Sequence, residues 1–168
     1  NHTIERCAEV SEAVIREVFH ALYRHKVALE HMILKPSMVT PGKESPKATP
    51  EEVASATLDV FRRAVPAAVP GIFFLSGGQT PEEATLNLNA MNSMGPQPWE
   101  LSFSYGRALQ EPAQKAWAGN LDNGQEAQAA MLKRARLNGA AGVCCLTILC
   151  RLDGFGADGV DDIDGFSP

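Results

Sequence analysis

The sequence lacks an uninterrupted apolar run of about 18 residues, which a membrane-spanning helix would need. It also has no surplus of basic residues, because 15 lysines and arginines stand against 20 aspartates and glutamates and give a net charge of −5. We therefore expect neither a membrane span nor a nucleic-acid partner. Four cysteines in 168 residues do not suggest a disulfide scaffold, and the composition is typical of a reduced, cytoplasmic protein.

Metal-ligand spacings are also missing from the sequence. His20 and His25 have no cysteine or carboxylate beside them in a ligand arrangement. Cys144, Cys145 and Cys150 lack both a CxxC pair and a partner histidine. We therefore predict no metal site and no cofactor.

Two similar helix starts, 31 residues apart, are the best indication of architecture. Thr49-Pro50-Glu51-Glu52 and Thr80-Pro81-Glu82-Glu83 each supply a capping threonine, a proline for the first helical position and a glutamate that closes a capping box. One supersecondary unit in about 30 residues is the period of a β/α repeat. The predicted fold class is therefore α/β with a parallel sheet.

Hydrophobic periodicity predicts the remaining elements. Helices are predicted at residues 3–25, 50–63, 82–94, 112–118 and 125–138, and strands at 27–35, 71–75 and 99–105. In the first helix, apolar residues three or four positions apart predict the buried face; they are Cys7, Val10, Val14, Val18, Ala21 and Leu22. Basic residues near the end of the last helix are interpreted as a solvated helix terminus; they are Lys133, Arg134 and Arg136.

Lys35 ends the first predicted strand and precedes Pro36, which stops strand pairing. α/β barrels keep their catalytic groups at the carboxyl ends of buried strands. Burial there lowers the pKa of a lysine and makes its amine a nucleophile toward a carbonyl carbon. Spacing alone leaves open the alternative that the lysine only extends its ammonium group to solvent along its apolar stem.

Two loops follow the other two predicted strands and are candidate phosphate sites. Ser76-Gly77-Gly78 lies between a strand and a capped helix, where backbone N–H groups and the helix dipole favour an anion. Ser104-Tyr105-Gly106-Arg107 occupies the equivalent place one strand later, and its arginine can donate two hydrogen bonds to phosphate. A Ser-Gly-Gly triplet alone is more often a plain turn, so the pair of loops carries the prediction.

Four segments resemble class I fructose-bisphosphate aldolases. Residues 29–42, LEHMILKPSMVTPG, resemble the active-site strand of that family, whose pattern runs LEGTLLKPNMVTPG. Residues 69–78 and 83–90 are similar to its seventh-strand region, and residues 99–110 to its eighth. The similarity covers roughly residues 2–140.

The resemblance implies a TIM (β/α)8 barrel, which typically needs about 250 residues. We expect residues 1–142 to form only about the last three β/α units plus terminal helices. Residues 143–168, which end in a stretch rich in glycine and aspartate, are expected to be a divergent tail, either disordered or an altered reading of the gene.

For function, the resemblance implies a glycolytic lyase that cleaves fructose 1,6-bisphosphate into dihydroxyacetone phosphate and glyceraldehyde 3-phosphate. Lys35 would form the Schiff base. The residues that would hold a substrate phosphate are Ser76, Gly77, Gly78, Ser104 and Arg107. The resemblance also implies a homotetramer, and it places the general acid/base carboxylates of the family before the first position that this chain matches. The alternatives are a non-catalytic truncated fragment or paralogue that keeps the phosphate-binding loops, and a different Schiff-base or phosphate-binding barrel.

Two departures from the family pattern lie near Lys35. His31 and Met32 replace Gly-Thr, and Ser37 replaces an asparagine. Strand alternation would place His31 on the same face as Lys35, inside the barrel. We expect overpacking there to cost about 1–3 kcal/mol or more.

Overall fold

The computed structural model describes residues 1–143. The helices are α1 (Ile4–Arg24), α2 (Pro50–Ala64), α3 (Pro81–Ser93), α4 (Arg107–Trp117) and α5 (Gly124–Gly142), and the strands are β1 (Ile33–Leu34), β2 (Gly71–Phe74) and β3 (Glu100–Phe103). Short 3-10 turns lie at Leu29–His31 and Leu121–Asn123. The tail predicted at 143–168, with its three cysteines, lies from residue 144 onward outside the described residues.

The helix starts are those that the sequence predicts. Thr3 caps α1 by accepting a hydrogen bond from the Arg6 N–H. Thr49 and Thr80 each form the predicted capping box with the glutamate three residues later. The threonine hydroxyl accepts from the backbone N–H of the glutamate, and the glutamate carboxylate accepts from the backbone N–H of the threonine. These contacts span three residues, which is why the local sequence suffices to predict them.

The three strands form one parallel sheet in the order β1-β2-β3. Ile33 pairs with Gly71, and Gly71 pairs with Glu100. A side chain at Gly71 would come within 3.3 Å of Ile33 Cδ1 and 3.1 Å of Phe73 Cε1, so these residues share one face of the sheet. Ile33 is 49% exposed and Phe73 is half-buried, which shows that residues 1–143 leave this face partly open.

Helices cover the other face of the sheet. Ile72 and Phe74 of β2 are fully buried there, and the Phe74 ring stacks on Phe61 of α2 with ring centroids 5.7 Å apart. Leu88 of α3 is also fully buried in this core. A parallel sheet usually has both faces covered, whereas residues 1–143 cover only this one. Of the helices within residues 1–143, none is long and apolar enough to cross a membrane.

The first strand is much shorter than predicted. The prediction of a strand at 27–35 is wrong except at Ile33–Leu34. The reason is that the end of α1 occupies backbone groups that a strand would need. Lys26 adopts φ 54°, and the Val27 N–H donates to the Leu22 carbonyl. The chain then makes a 3-10 turn, in which the His31 N–H donates to the Ala28 carbonyl.

That turn also changes the environment of His31. Its side chain is exposed, so the predicted overpacking of an imidazole inside a barrel does not occur among the described residues. Leu29 is the buried residue of the turn, at 5% exposure. The strand alternation used for the prediction does not apply because the residues from 29 to 31 are not extended.

The buried face of α1 also differs from the prediction. Ile15 and Phe19 are its buried residues. Val10, Val14 and Val18, which were predicted to face the core, are 44%, 56% and 42% exposed. The helix carries two adjacent apolar stripes, and periodicity alone does not say which of them α2 covers.

Candidate active site

The carboxyl ends of the three strands lie side by side. The Leu75 N–H donates to the Pro36 carbonyl over 3.0 Å, which places the end of β2 beside the residue that follows Lys35. The Ser104 N–H donates to the Phe74 carbonyl over 2.8 Å, which joins the end of β3 to β2. Parallel pairing therefore brings the three predicted site segments to one edge of the sheet.

Lys35 stands at this edge with an exposed side chain. Within residues 1–143 its ammonium group has no hydrogen-bond or ion-pair partner. The burial expected for a lysine at the end of a barrel strand is therefore not supplied by the described residues. The physical reason is that strand alternation places Lys35 on the same face of the sheet as Ile33, and residues 1–143 leave that face partly open.

The loop after Lys35 is held by a buried contact. The Val39 N–H donates to Thr57 Oγ1 of α2 over 2.9 Å, and both residues are 0% exposed. Met38, next to Val39, is also buried. This anchor fixes the loop four residues beyond Lys35.

The loop after β2 contains the Ser76-Gly77-Gly78 triplet. Its turn is closed by the Gln79 N–H, which donates to the Ser76 carbonyl over 3.2 Å. Gly78 adopts φ +84°, a conformation that favours glycine. Gly77 and Gly78 are exposed, whereas Ser76 is 4% exposed. Two N–H groups of small residues therefore lie at the surface beside the start of α3.

The loop after β3 approaches the first loop closely. A side chain at Gly77 would come within 4.0 Å of Arg107 Nη2, so the exposed Arg107 guanidinium lies beside the Gly77 backbone. The Ala108 N–H donates to Ser76 Oγ over 3.4 Å, which links the start of α4 to the other loop. No side chain caps α4 at Gly106. The N–H groups at the start of α4 that Ser76 does not occupy, the glycine N–H groups of the other loop and the guanidinium together form a positive surface that suits a phosphate.

Tyr105 attaches the loop after β3 to α3. Its hydroxyl donates to the Ala84 carbonyl of α3 over 2.7 Å, and the ring is 6% exposed. Burial raises the pKa of the Tyr105 hydroxyl, while the charge of Arg134 acts in the opposite direction. The hydroxyl is therefore a neutral donor. Its hydrogen bond to Ala84 ties the loop from Ser104 to Arg107 to α3.

Lys47 and Glu83 tie the start of α3 to the loop that follows Lys35. Their ion pair is 2.7 Å long, and Glu83 also accepts a hydrogen bond from the Thr80 N–H in the capping box. Burial alone would raise the pKa of Glu83, but the hydrogen bonds and charge of Lys47 and the bonds from Thr80 outweigh it and lower the pKa below its ordinary value.

Arg134 is a residue of this region that the sequence interpretation missed. It was predicted to lie at a solvated helix end, but it is 5% exposed. Its Nε donates to the Ala108 carbonyl over 3.3 Å, and its Nη2 donates to the Pro81 carbonyl and to Thr85 Oγ1. The available signal was spacing: Arg134 lies three and seven residues before Leu137 and Ala141, on the buried stripe of α5.

Comparisons with known proteins agree in sequence and in fold. Residues 1–148 match the sequence model of the family described as fructose-bisphosphate aldolase class-I. Cytosolic fructose-bisphosphate aldolase 5 of Arabidopsis thaliana is 55% identical over 142 residues, which cover 84% of this chain and 40% of that protein. Fructose-bisphosphate aldolase C of Pan troglodytes is 54% identical over 143 residues, which cover 84% of this chain and 39% of that protein.

A solved structure gives the same result. The fructose-bisphosphate aldolase of Plasmodium falciparum, crystallised in complex with TRAP and a small-molecule inhibitor, superposes with a TM-score of 0.82 at 47% identity. The superposition covers 85% of this chain and 42% of that one. The chain thus spans about 40% of the length of these relatives.

Proposed function

This chain belongs to the class-I fructose-bisphosphate aldolase family, a TIM-barrel family, and on that premise we propose that it carries the Schiff-base lysine and a phosphate site of a fructose-bisphosphate aldolase. The observation that carries the proposal is the convergence of three strand ends, which brings Lys35 to the same sheet edge as two phosphate loops. The proximity of Arg107 to Gly77 supports a shared phosphate site.

The proposed phosphate site combines main-chain and side-chain donors. The N–H groups of Gly77 and Gly78 and the guanidinium of Arg107 would donate to the phosphate oxygens, and the half-buried Ser104 hydroxyl would add a further donor. The Ser76 hydroxyl oxygen accepts from the Ala108 N–H, which leaves its own hydrogen free to donate. Anchoring one phosphate would hold the ketone of the substrate against the lysine and make the attack effectively unimolecular.

The proposed reaction begins at the nitrogen of Lys35. The neutral amine adds to the ketone carbon of fructose 1,6-bisphosphate to give a carbinolamine. A general acid then protonates the carbinolamine hydroxyl, which leaves as water and gives a protonated imine. A general base takes the proton from the C4 hydroxyl, the C3–C4 bond breaks, and its electron pair moves into the imine. Glyceraldehyde 3-phosphate leaves, and protonation at C3 and hydrolysis of the imine then release dihydroxyacetone phosphate.

A second candidate function is phosphate binding without cleavage. It is favoured by the exposure of Lys35, because a solvated ammonium group is a poor nucleophile. The family resemblance also places the general base outside the positions that this chain matches, and loss of acid/base catalysis costs about 10²–10⁴-fold in rate.

The setting of the proposed activity follows from the relatives. Several of them are named cytosolic or cytoplasmic isozymes, which supports a role in cytoplasmic glycolysis with sugar phosphates as substrates. Assembly into a homotetramer, which the family resemblance implies, is part of the same proposal.

The test is a cleavage assay on the complete chain with fructose 1,6-bisphosphate, together with calorimetric titration of dihydroxyacetone phosphate. Lys35→Met should abolish cleavage and keep phosphate binding, and Arg107→Ala should weaken binding. Lys43→Met, which changes another exposed lysine of the loop that follows β1, is the matched control and should leave both unchanged. Binding without cleavage in the unaltered chain would support the second function, and absence of both would refute both.

A further inference from the structure

We propose that Arg134 is a positioning residue that sets the relative placement of the two phosphate loops. This inference rests on the proposed function, because it assigns a role toward the phosphate site described above. Arg134 lies on α5, which supplies no residue to that site.

The guanidinium of Arg134 reaches two helices at once. Its Nη2 donates to the carbonyl of Pro81, the first residue of α3, and its Nε donates to the carbonyl of Ala108, the second residue of α4. Pro81 comes three residues after Gly78, and Ala108 directly follows Arg107. One buried side chain therefore joins the first turns of the two helices that follow the phosphate loops.

The residue next to Arg107 is held from both sides. The Ala108 carbonyl accepts from Arg134, and the Ala108 N–H donates to the hydroxyl of Ser76 in the other loop. The backbone of Ala108 therefore cannot shift without breaking one of these bonds. Because Arg107 is its neighbour in the chain, this double contact also limits where the Arg107 backbone can lie.

Arg134 is itself held firmly. Thr85 Oγ1 of α3 accepts from Arg134 Nη2 and lies 2.6 Å from Asn138 Oδ1 of α5. Glu82 lies 3.6 Å from Arg134 Nη1 and supplies an opposite charge. A guanidinium with donors directed to several fixed acceptors is a rigid spacer, which a lysine ammonium on a flexible stem does not reproduce.

The test measures binding of inorganic phosphate to the complete chain by titration at constant ionic strength, under conditions where each variant is folded. Arg134→Lys keeps the charge but not the fork of donors, and Arg134→Met removes both. We expect phosphate to bind about tenfold more weakly to both variants, since a charge-assisted hydrogen bond to phosphate that is lost or misdirected reduces affinity by about that factor or more.

A merely structural role predicts a different result. It would reduce the folded fraction of the chain while leaving the phosphate affinity of the folded molecules unchanged. Ile15→Ala, which destabilises the contact of α1 with the core far from α5 in the chain, is the control for general destabilisation. If Ile15→Ala weakens phosphate binding as much as Arg134→Lys does, the positioning role is refuted.

Two further variants keep the outcomes separate. Thr85→Val removes one acceptor of the Arg134 guanidinium and should weaken binding in the same direction, which keeps the proposal testable if Arg134→Met does not fold. Arg107→Ala tests the phosphate site itself. If unaltered chain binds phosphate through Arg107 but Arg134→Lys and Thr85→Val bind it equally well, only the positioning role fails. If unaltered chain binds no phosphate, the proposed function fails with it.

Discussion

The buried hydrogen bond between Val39 and Thr57 supports a quantitative prediction about the loop that follows Lys35. Thr57→Val replaces the hydroxyl by a methyl group of similar size and leaves no cavity. The Val39 N–H, which donates to Thr57 Oγ1 over 2.9 Å in a region with 0% exposure, then has neither that acceptor nor water. A buried donor left unpaired costs about 1–3 kcal/mol.

The matched control is Thr57→Ser, which keeps the acceptor and removes one buried methyl group. It should cost about 1 kcal/mol from lost apolar burial. The two variants are distinguished by the Val39 amide: its hydrogen exchange should become much faster in Thr57→Val and stay slow in Thr57→Ser.

The measurements are urea unfolding for the free energy and amide hydrogen exchange for the loop. We expect the unfolding free energy to fall by about 1–3 kcal/mol in Thr57→Val. A Thr57→Val variant that is as stable as the unaltered chain, with a Val39 amide that still exchanges slowly, would contradict the assignment of this contact as the anchor of the loop.

Three further predictions concern the site and the core. The pKa of Glu83 lies below its ordinary 4.5, so its carboxylate stabilises the fold above pH 4.5 and loses this contribution as the pH falls through the lowered pKa. Glu83→Gln should therefore flatten the dependence of the thermal unfolding temperature on pH in the acid range. Gly78→Ala should cost about 1–2 kcal/mol because φ is +84°, whereas the same change at Gly139 of α5 should stabilise by about 0.5–1 kcal/mol in urea unfolding, and equal effects would contradict the strain argument. Phe61→Ala should cost about 3–5 kcal/mol in urea unfolding, since its fully buried ring stacks on Phe74, and a loss below about 1 kcal/mol would contradict that packing.

Local signals in the sequence predict much of the fold. The capping boxes at Thr49 and Thr80 depend on residues three positions away, so the starts of α2 and α3 are predicted correctly. The predicted strands at 71–75 and 99–105 contain the observed β2 and β3. Their parallel pairing follows from the β/α period, and it places Lys35 at the same edge of the sheet as the two loops.

What the sequence could not supply depends on contacts between distant parts of the chain. The apolar run from Val27 to Leu34 is consistent with a strand, but the end of α1 takes the Val27 N–H and a 3-10 turn takes the next residues. In the sequence, Arg134 is indistinguishable from a surface cation, because the carbonyls to which it donates belong to Pro81 and Ala108, 53 and 26 positions earlier. The roles of Lys35 and of the phosphate-loop residues stay predictions.

The measurement that tests the central claim most directly is borohydride trapping of the complete chain with dihydroxyacetone phosphate, read by intact mass and by peptide mass. The account predicts one reduced adduct on the peptide that contains Lys35, with much less of it in Arg107→Ala. Lys43 and Lys47, which are exposed in the same loop, should stay unmodified. A folded chain that gives no adduct, or adducts spread over all exposed lysines, would contradict the claim that this sheet edge is a Schiff-base site.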